Sequence, residues 1–129
     1  MLYVGIDWAD DHHDVCLVDE RASALAQFQI PHSAEGFATL HTTIAQHQPD
    51  PTQVLVALET ARGLLVYDLL SQRYQVYAIN PKAVNRFKDR HTLSAAKSDR
   101  LDALCMADLL RTDRHRFKPL VPPPEEYRL

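Results

Sequence analysis

No stretch of this 129-residue chain approaches the roughly 18 consecutive apolar residues that a membrane-spanning helix requires. The amino-terminal run MLYVGIDWADD lacks a basic segment and is interrupted by Asp7, so it does not read as a signal peptide. Cysteine is scarce. Cys16 and Cys105 both sit inside apolar runs, which favours two buried, reduced thiols over a disulfide and points to a cytosolic setting. Glycine is scarce as well, with three in the chain. Neither a P-loop nor a GxGxxG is present. The turn Thr60-Ala61-Arg62-Gly63 has no serine between glycines, so it is not a nucleophile elbow. The seven histidines form no HExxH and no Cys/His zinc pattern, and His12 and His13 read as turn residues. There is no internal repeat.

The composition is that of an ordinary globular protein, with 46% apolar and 24% charged residues. A chain of this length forms one domain and buries about two-thirds of its unfolded surface without needing a disulfide or a structural metal. The net charge of −3 conceals an asymmetry. Residues 1–81 carry 3 Lys/Arg against 10 Asp/Glu, whereas residues 82–118 carry 10 against 5. An acidic body with one basic segment suits local contact with a polyanion, although a solvated basic helix would show the same imbalance.

Hydrophobic patterning predicts strands over 2–8, 13–18 and 24–30, the first three forming a meander. Ser33 is placed to cap a helix running to about Gln48, with Phe37, Leu40 and Ile44 on its apolar face. Val54–Leu58 is a continuous apolar run, as expected for a strand covered on both faces. A helix from about Leu64 to Gln72, a strand from Tyr74 to Ile79 and a helix opening at Pro81 follow. The last helix runs from about Ser98 to Thr112. Antiparallel strands followed by βαβ units predict an α/β protein, a mixed five-stranded sheet with helices on both faces. Pro119, Pro122, Pro123 and Pro124 read as an extended linker. The expected organisation is a domain over 1–118 and a linker over 119–129 that opens a further carboxy-terminal region.

Two acids follow apolar strands in the same way, Asp7 after the first and Glu59 after Val54–Leu58. If those strands are parallel neighbours, both carboxylates emerge at the carboxyl edge of the sheet, where ligands bind in open α/β folds. Asp99 and Asp102 stand at i and i+3, at the head of an apolar helix stripe through Cys105, Met106 and Leu109. Each acid alone also fits a blander role, a solvated strand end for the first pair and a helix cap or first-turn acid for the second. Together they could converge on one spot. Such a cluster repels itself unless cations occupy it, and carboxylate oxygens suit Mg²⁺ or Mn²⁺. Two such ions about 4 Å apart are the usual device for in-line displacement at a phosphodiester.

Lys82, Arg86 and Arg90 form one stripe of the helix after Pro81, and Val84, Phe87 and His91 another. Lys88, Lys97 and Arg100 add charge nearby, and Arg111, Arg114, Arg116 and Lys118 extend it toward the linker. These cations are candidates for contact with a nucleic-acid backbone. Arg62, just after Glu59, fits a phosphate contact and a surface salt bridge equally well.

The strings YVGIDWADDHHDVCLVD, VALETARGLL and YAINPKAVNRFKDRHTLSAAKSDRLDALCMADLLRTDRHRFKPL occur in an order that resembles the amino-terminal domain of DEDD-type insertion-sequence transposases, relatives of the Piv/MooV invertases. The resemblance covers nearly the whole chain and is most specific from Asn80 to Lys118. It implies a ribonuclease-H-like, RuvC-like fold. It also implies that Asp7, Glu59, Asp99 and Asp102 are the catalytic tetrad, binding Mg²⁺ (or Mn²⁺) for DNA strand cleavage and exchange. The partners it implies are DNA, a structured bridge RNA as guide, and further copies of the full-length protein. Complete members continue through a coiled coil into a domain carrying a nucleophilic serine, which this chain does not contain.

The leading expectation is therefore a metal-dependent transposase domain, cytoplasmic and nucleoid-associated. An alternative is a fragment that keeps the fold and binds nucleic acid without catalysis. A nucleotide-binding protein of the actin-like class shares the meander and the Gly-Ile-Asp start, but Trp8 would obstruct the approach of the phosphates after Asp7.

Overall fold

The structure, a computed structural model, describes residues 1–90 and 99–122, with the side chains of Arg90, Asp99, Arg100 and Leu101 left aside. Three antiparallel strands open the chain: β1 (Leu2–Trp8), β2 (His12–Val18) and β3 (Ala24–Pro31). Helix α1 (Ala34–His47) then leads to β4 (Val54–Leu58), which lies parallel to β1. Helix α2 (Leu64–Ser71) leads to β5 (Gln75–Ala78), parallel to β4. Helices α3 (Pro81–Arg90) and α4 (Asp99–Asp113) complete the domain. The sheet order is β3-β2-β1-β4-β5, so β1 and β4 are central.

Local signals explain most of these boundaries. The Ser33 hydroxyl accepts the Gly36 N–H at 3.0 Å and caps α1. The Asn80 side chain accepts the Lys82 N–H at 2.8 Å, and Pro81, which has no N–H to satisfy, occupies the first turn of α3. Every residue of β4 is buried, which is why its sequence is continuously apolar instead of alternating. β5 is shorter than its pattern predicts, because Tyr74 and Ile79 lie outside the paired segment. Ile79 still donates its N–H to the Leu58 carbonyl at 2.8 Å. Beyond Pro119, Leu120 donates to the Val76 carbonyl at 2.7 Å and packs against the core. Residues 123–129 of the expected linker lie outside the described residues.

The sheet separates two apolar layers. Val4, Ile6, Val56 and Leu58 pack with α1 and α2 on one face. Tyr3, Cys16, Leu55 and Ala57 pack with α3 and α4 on the other. Across the first layer, His41 of α1 joins Asp68 of α2 at 2.5 Å and the Tyr74 hydroxyl at 3.0 Å.

His12 differs from the expectation of a turn residue, since it opens β2, whereas His13 lies within the strand predicted over 13–18. His13 is fully buried beneath Trp8, with ring centroids 4.4 Å apart. The Ala9 N–H donates to its Nδ1 at 3.3 Å, which leaves the proton on Nε2 to donate to His32 Nδ1 at 2.9 Å. Burial, with the neighbouring His32, lowers the His13 pKa below the ordinary imidazole value.

On the other face, α4 lies directly on β1 at Gly5. A Cβ there would overlap the Ala103 carbonyl oxygen and stand 2.8 Å from the Ala107 nitrogen. Both obstacles are backbone and cannot rotate away. Gly5→Ala is therefore expected to destabilise the domain by about 3 kcal/mol or more, the upper end of overpacking costs, read as a lower urea midpoint. His13 gives a second expectation. Its lowered pKa means that the unfolded chain binds the proton first, so stability falls as pH drops below about 6.5. Urea unfolding between about pH 8 and pH 5 measures this slope, and His13→Asn should flatten it.

Candidate functional site

The parallel register of β1 and β4 pairs Gly5 with Ala57. Continued by two residues, that register sets Asp7 beside Glu59 on the α4 face of the sheet. Asp7 is half-buried near the end of β1, and Glu59 is exposed just past β4. α4 runs antiparallel to β1. At its carboxyl end, Arg114 donates to the Tyr3 hydroxyl at 2.7 Å, and Ala107 and Ala103 meet Gly5. Its first turn, with Asp99 and Asp102, consequently lies toward the edge where Asp7 stands near the end of β1. Asp102 is half-buried and accepts an ion pair from Lys88 of α3.

The structure thus brings the elements bearing all four acids to one edge. The Asp99 side chain lies outside the described residues. Among the described residues, no group of three or more His, Cys, Asp or Glu side chains is gathered closely enough to hold a metal ion. A further acid, not apparent from the sequence, lies on the same face. Asp14 of β2 is the cross-strand partner of Asp7 and is 2% exposed. Its position between His13 and Val15 in a short strand offered no pattern that distinguished it. The register alone could have found it.

The cations sort into two groups. Lys82 and Arg86 are exposed on α3, and Arg116 and Lys118 are exposed beyond α4. Arg86 and Arg116 line a cleft of about 600 Å³ with Asp89, Asp113 and Phe117. Lys88 differs from the expectation of a nucleic-acid contact. The turn of α3 that buries Phe87 also carries Lys88 inward, where its ammonium is paired with Asp102. Arg111 is paired with Asp108 at 2.6 Å, and Arg114 lies over the Tyr3 ring. The Arg90 and Arg100 side chains and Lys97, also expected at the nucleic acid, lie outside the described residues. Arg62 is exposed after Glu59.

The thiols are free and buried. Burial pushes Cys16 up to about 11 and raises Cys105 as well, so neither supplies a thiolate near neutral pH.

A transposase family model of the DEDD, IS110 type matches residues 4–129. The chain is 44% identical over 120 residues to a protein of Streptomyces coelicolor named as the mini-circle transposase for IS117. That match covers 92% of this chain and 29% of the relative. It is 36% identical over 118 residues to the transposase-named y4uE of Sinorhizobium fredii, covering 90% of this chain and 33% of that protein. The chain spans about a third of the length of these relatives. Among solved structures, Thermus thermophilus RuvC aligns with a TM-score of 0.60 at 19% identity, covering 93% of this chain and all of RuvC (100%). RuvC in complex with a Holliday junction substrate aligns at 0.58 and 18% identity, covering 93% of this chain and 99% of RuvC. At this identity the likeness establishes the fold. The chain belongs to the DEDD transposase family of the IS110 type, with a RuvC-like, ribonuclease-H-type fold.

Proposed function

We propose that this domain catalyses divalent-metal-dependent DNA strand cleavage and exchange, with Asp7, Glu59, Asp99 and Asp102 as its catalytic acids. The observation that carries the reading is the placement of α4 on β1, which sets the Asp99–Asp102 turn at the edge where Asp7 and Glu59 stand. The donor set fits Mg²⁺ or Mn²⁺, being all carboxylate oxygen. So does the surplus of negative charge there, since Asp102 already draws a lysine inward and Asp7 faces Asp14 across the ladder. When bound, the cation would polarise the phosphodiester and stabilise charge on the attacking and leaving oxygens. The carboxylates would fix its position against DNA, and the rigid sheet edge would hold them in register. Lys88 would restrain Asp102 and offset its charge.

Lys82, Arg86, Arg116 and Lys118 present exposed cations suited to a phosphate backbone, of DNA or of a guide RNA. Residues 1–118 form the catalytic domain in this reading. Residues 119–129 lead toward the serine-bearing part of the longer proteins, which act as homo-oligomers in a cytoplasmic, nucleoid-associated setting. Strand exchange then requires that longer part as well as this domain. The contrasting reading is a domain that binds nucleic acid without chemistry.

One measurement separates them, and a second tests the nucleic-acid face that both readings share. In a longer protein carrying the serine region, Asp7→Asn and Asp102→Asn should each slow DNA cleavage by about a thousandfold, from several kcal/mol of lost transition-state stabilisation. Full activity in Asp7→Asn would make the acids structural and favour the binding-only reading. For this chain alone, the double replacement Lys82→Ala, Arg86→Ala should lower the slope of log K against log salt by about 1.8 on duplex DNA. An unchanged slope would remove α3 from the nucleic-acid face.

A further inference from the structure

Asp14 is the one side chain among the described residues with a buried polar atom that lacks a hydrogen-bond partner. It is 2% exposed in the middle of β2. Its Oδ1 accepts a hydrogen bond from Gln29 Nε2 of β3 at 3.0 Å, and its Oδ2 accepts none. Gln29 is the cross-strand neighbour of Asp14 on one side, and Asp7 is its neighbour on the other. Cross-strand partners share a face, so Gln29, Asp14 and Asp7 form one row across the sheet.

A buried carboxylate oxygen without a partner is costly, and a like charge directly opposite adds to the cost. A water molecule would satisfy the oxygen but leave the buried charge of Asp14 in place. A cation answers both demands. We infer that Asp14 is a fifth carboxylate of the site and binds the divalent cation through Oδ2, together with Asp7. This rests on the metal-dependent reading above and adds a ligand to it. Gln29 then has a positioning role, since its hydrogen bond to Oδ1 turns the carboxylate.

The test is Mn²⁺ titration of the 129-residue chain, with free Mn²⁺ followed by electron paramagnetic resonance. Thermal melts run in parallel, and circular dichroism checks the fold. Asp14→Asn keeps the volume and the oxygen that faces Gln29, but removes the charge. It should raise Tm without metal, weaken Mn²⁺ binding at least about tenfold and abolish the rise in Tm that Mn²⁺ gives the parent chain. Asp7→Asn is the control. If Asp7→Asn weakens binding and Asp14→Asn leaves it unchanged, Asp14 is a structural acid and only this inference falls. If Asp7→Asn leaves binding unchanged, or the parent chain binds no Mn²⁺, the metal-dependent reading falls too. Asp14→Cys covers the case in which Asp14→Asn does not fold. A thiolate ligand should weaken Mn²⁺ and strengthen Cd²⁺ binding relative to the parent chain. An unchanged Cd²⁺-to-Mn²⁺ preference would overturn the assignment.

Discussion

The arrangement of this domain depends on the contact between the backbone of α4 and the backbone of β1 at Gly5. Most helices rest on a sheet through interleaved side chains, but here a single missing Cβ lets the helix settle directly onto the central strand. Small residues on the helix side, Ala103 and Ala107, complete the fit. The contact is anchored at the far end, where Arg114 grips the Tyr3 hydroxyl, itself held by Glu20. With one end tied and the middle in backbone contact, the direction of α4 along β1 is set. Its two aspartates are delivered to the end of β1 by a packing constraint and not by any attraction between acids.

That delivery has an electrostatic cost. Asp7, Asp14, Glu59 and Asp102 stand along one edge or face of a sheet whose core strands are otherwise apolar. The fold offsets part of the repulsion internally, with Lys88 drawn from α3 onto Asp102 and Gln29 donating to Asp14. Other cations of the basic segment are also committed within the protein, Arg111 to Asp108 and Arg114 to Tyr3. The exposed positive surface of this segment is therefore narrower than the charge count implies. The same segment does two jobs: it neutralises the acids of its own fold and presents the remaining positive charge outward.

The opposite face of the sheet has a different task. The stack of Trp8, His13, His32 and Phe37 covers the end of β1 on the α1 side, with burial and the neighbouring His32 lowering the His13 pKa. Trp8, which the sequence places next to Asp7, belongs to this layer because successive strand residues point to opposite faces. Two adjacent residues thus serve separate environments. Asp7 faces α4 and Trp8 faces the imidazole stack.

Much of this architecture is written locally. Strand and helix positions follow from apolar period, Ser33 and Asn80 cap their helices, and Pro81 stands in the first turn of α3 where it has no N–H to satisfy. The apolar runs of β1 and β4 mark both as central strands, and their parallel pairing, which the sequence left as a condition, brings the ends that carry Asp7 and Glu59 to the same edge. The sequence by itself therefore determined the order of elements and the strand ends at which the acids emerge, because each depends on short-range preference and hydrophobic period. Only the tertiary structure decided the partners across that edge. Lys88 lies on α3 with the same helical spacing logic as its exposed neighbours, yet turns inward because Asp102 arrives from another helix. Asp14 looks like any polar strand residue until the antiparallel register sets it against Asp7. Registers and helix-to-helix charge pairs join residues distant in the chain, and no local pattern encodes which of them will meet.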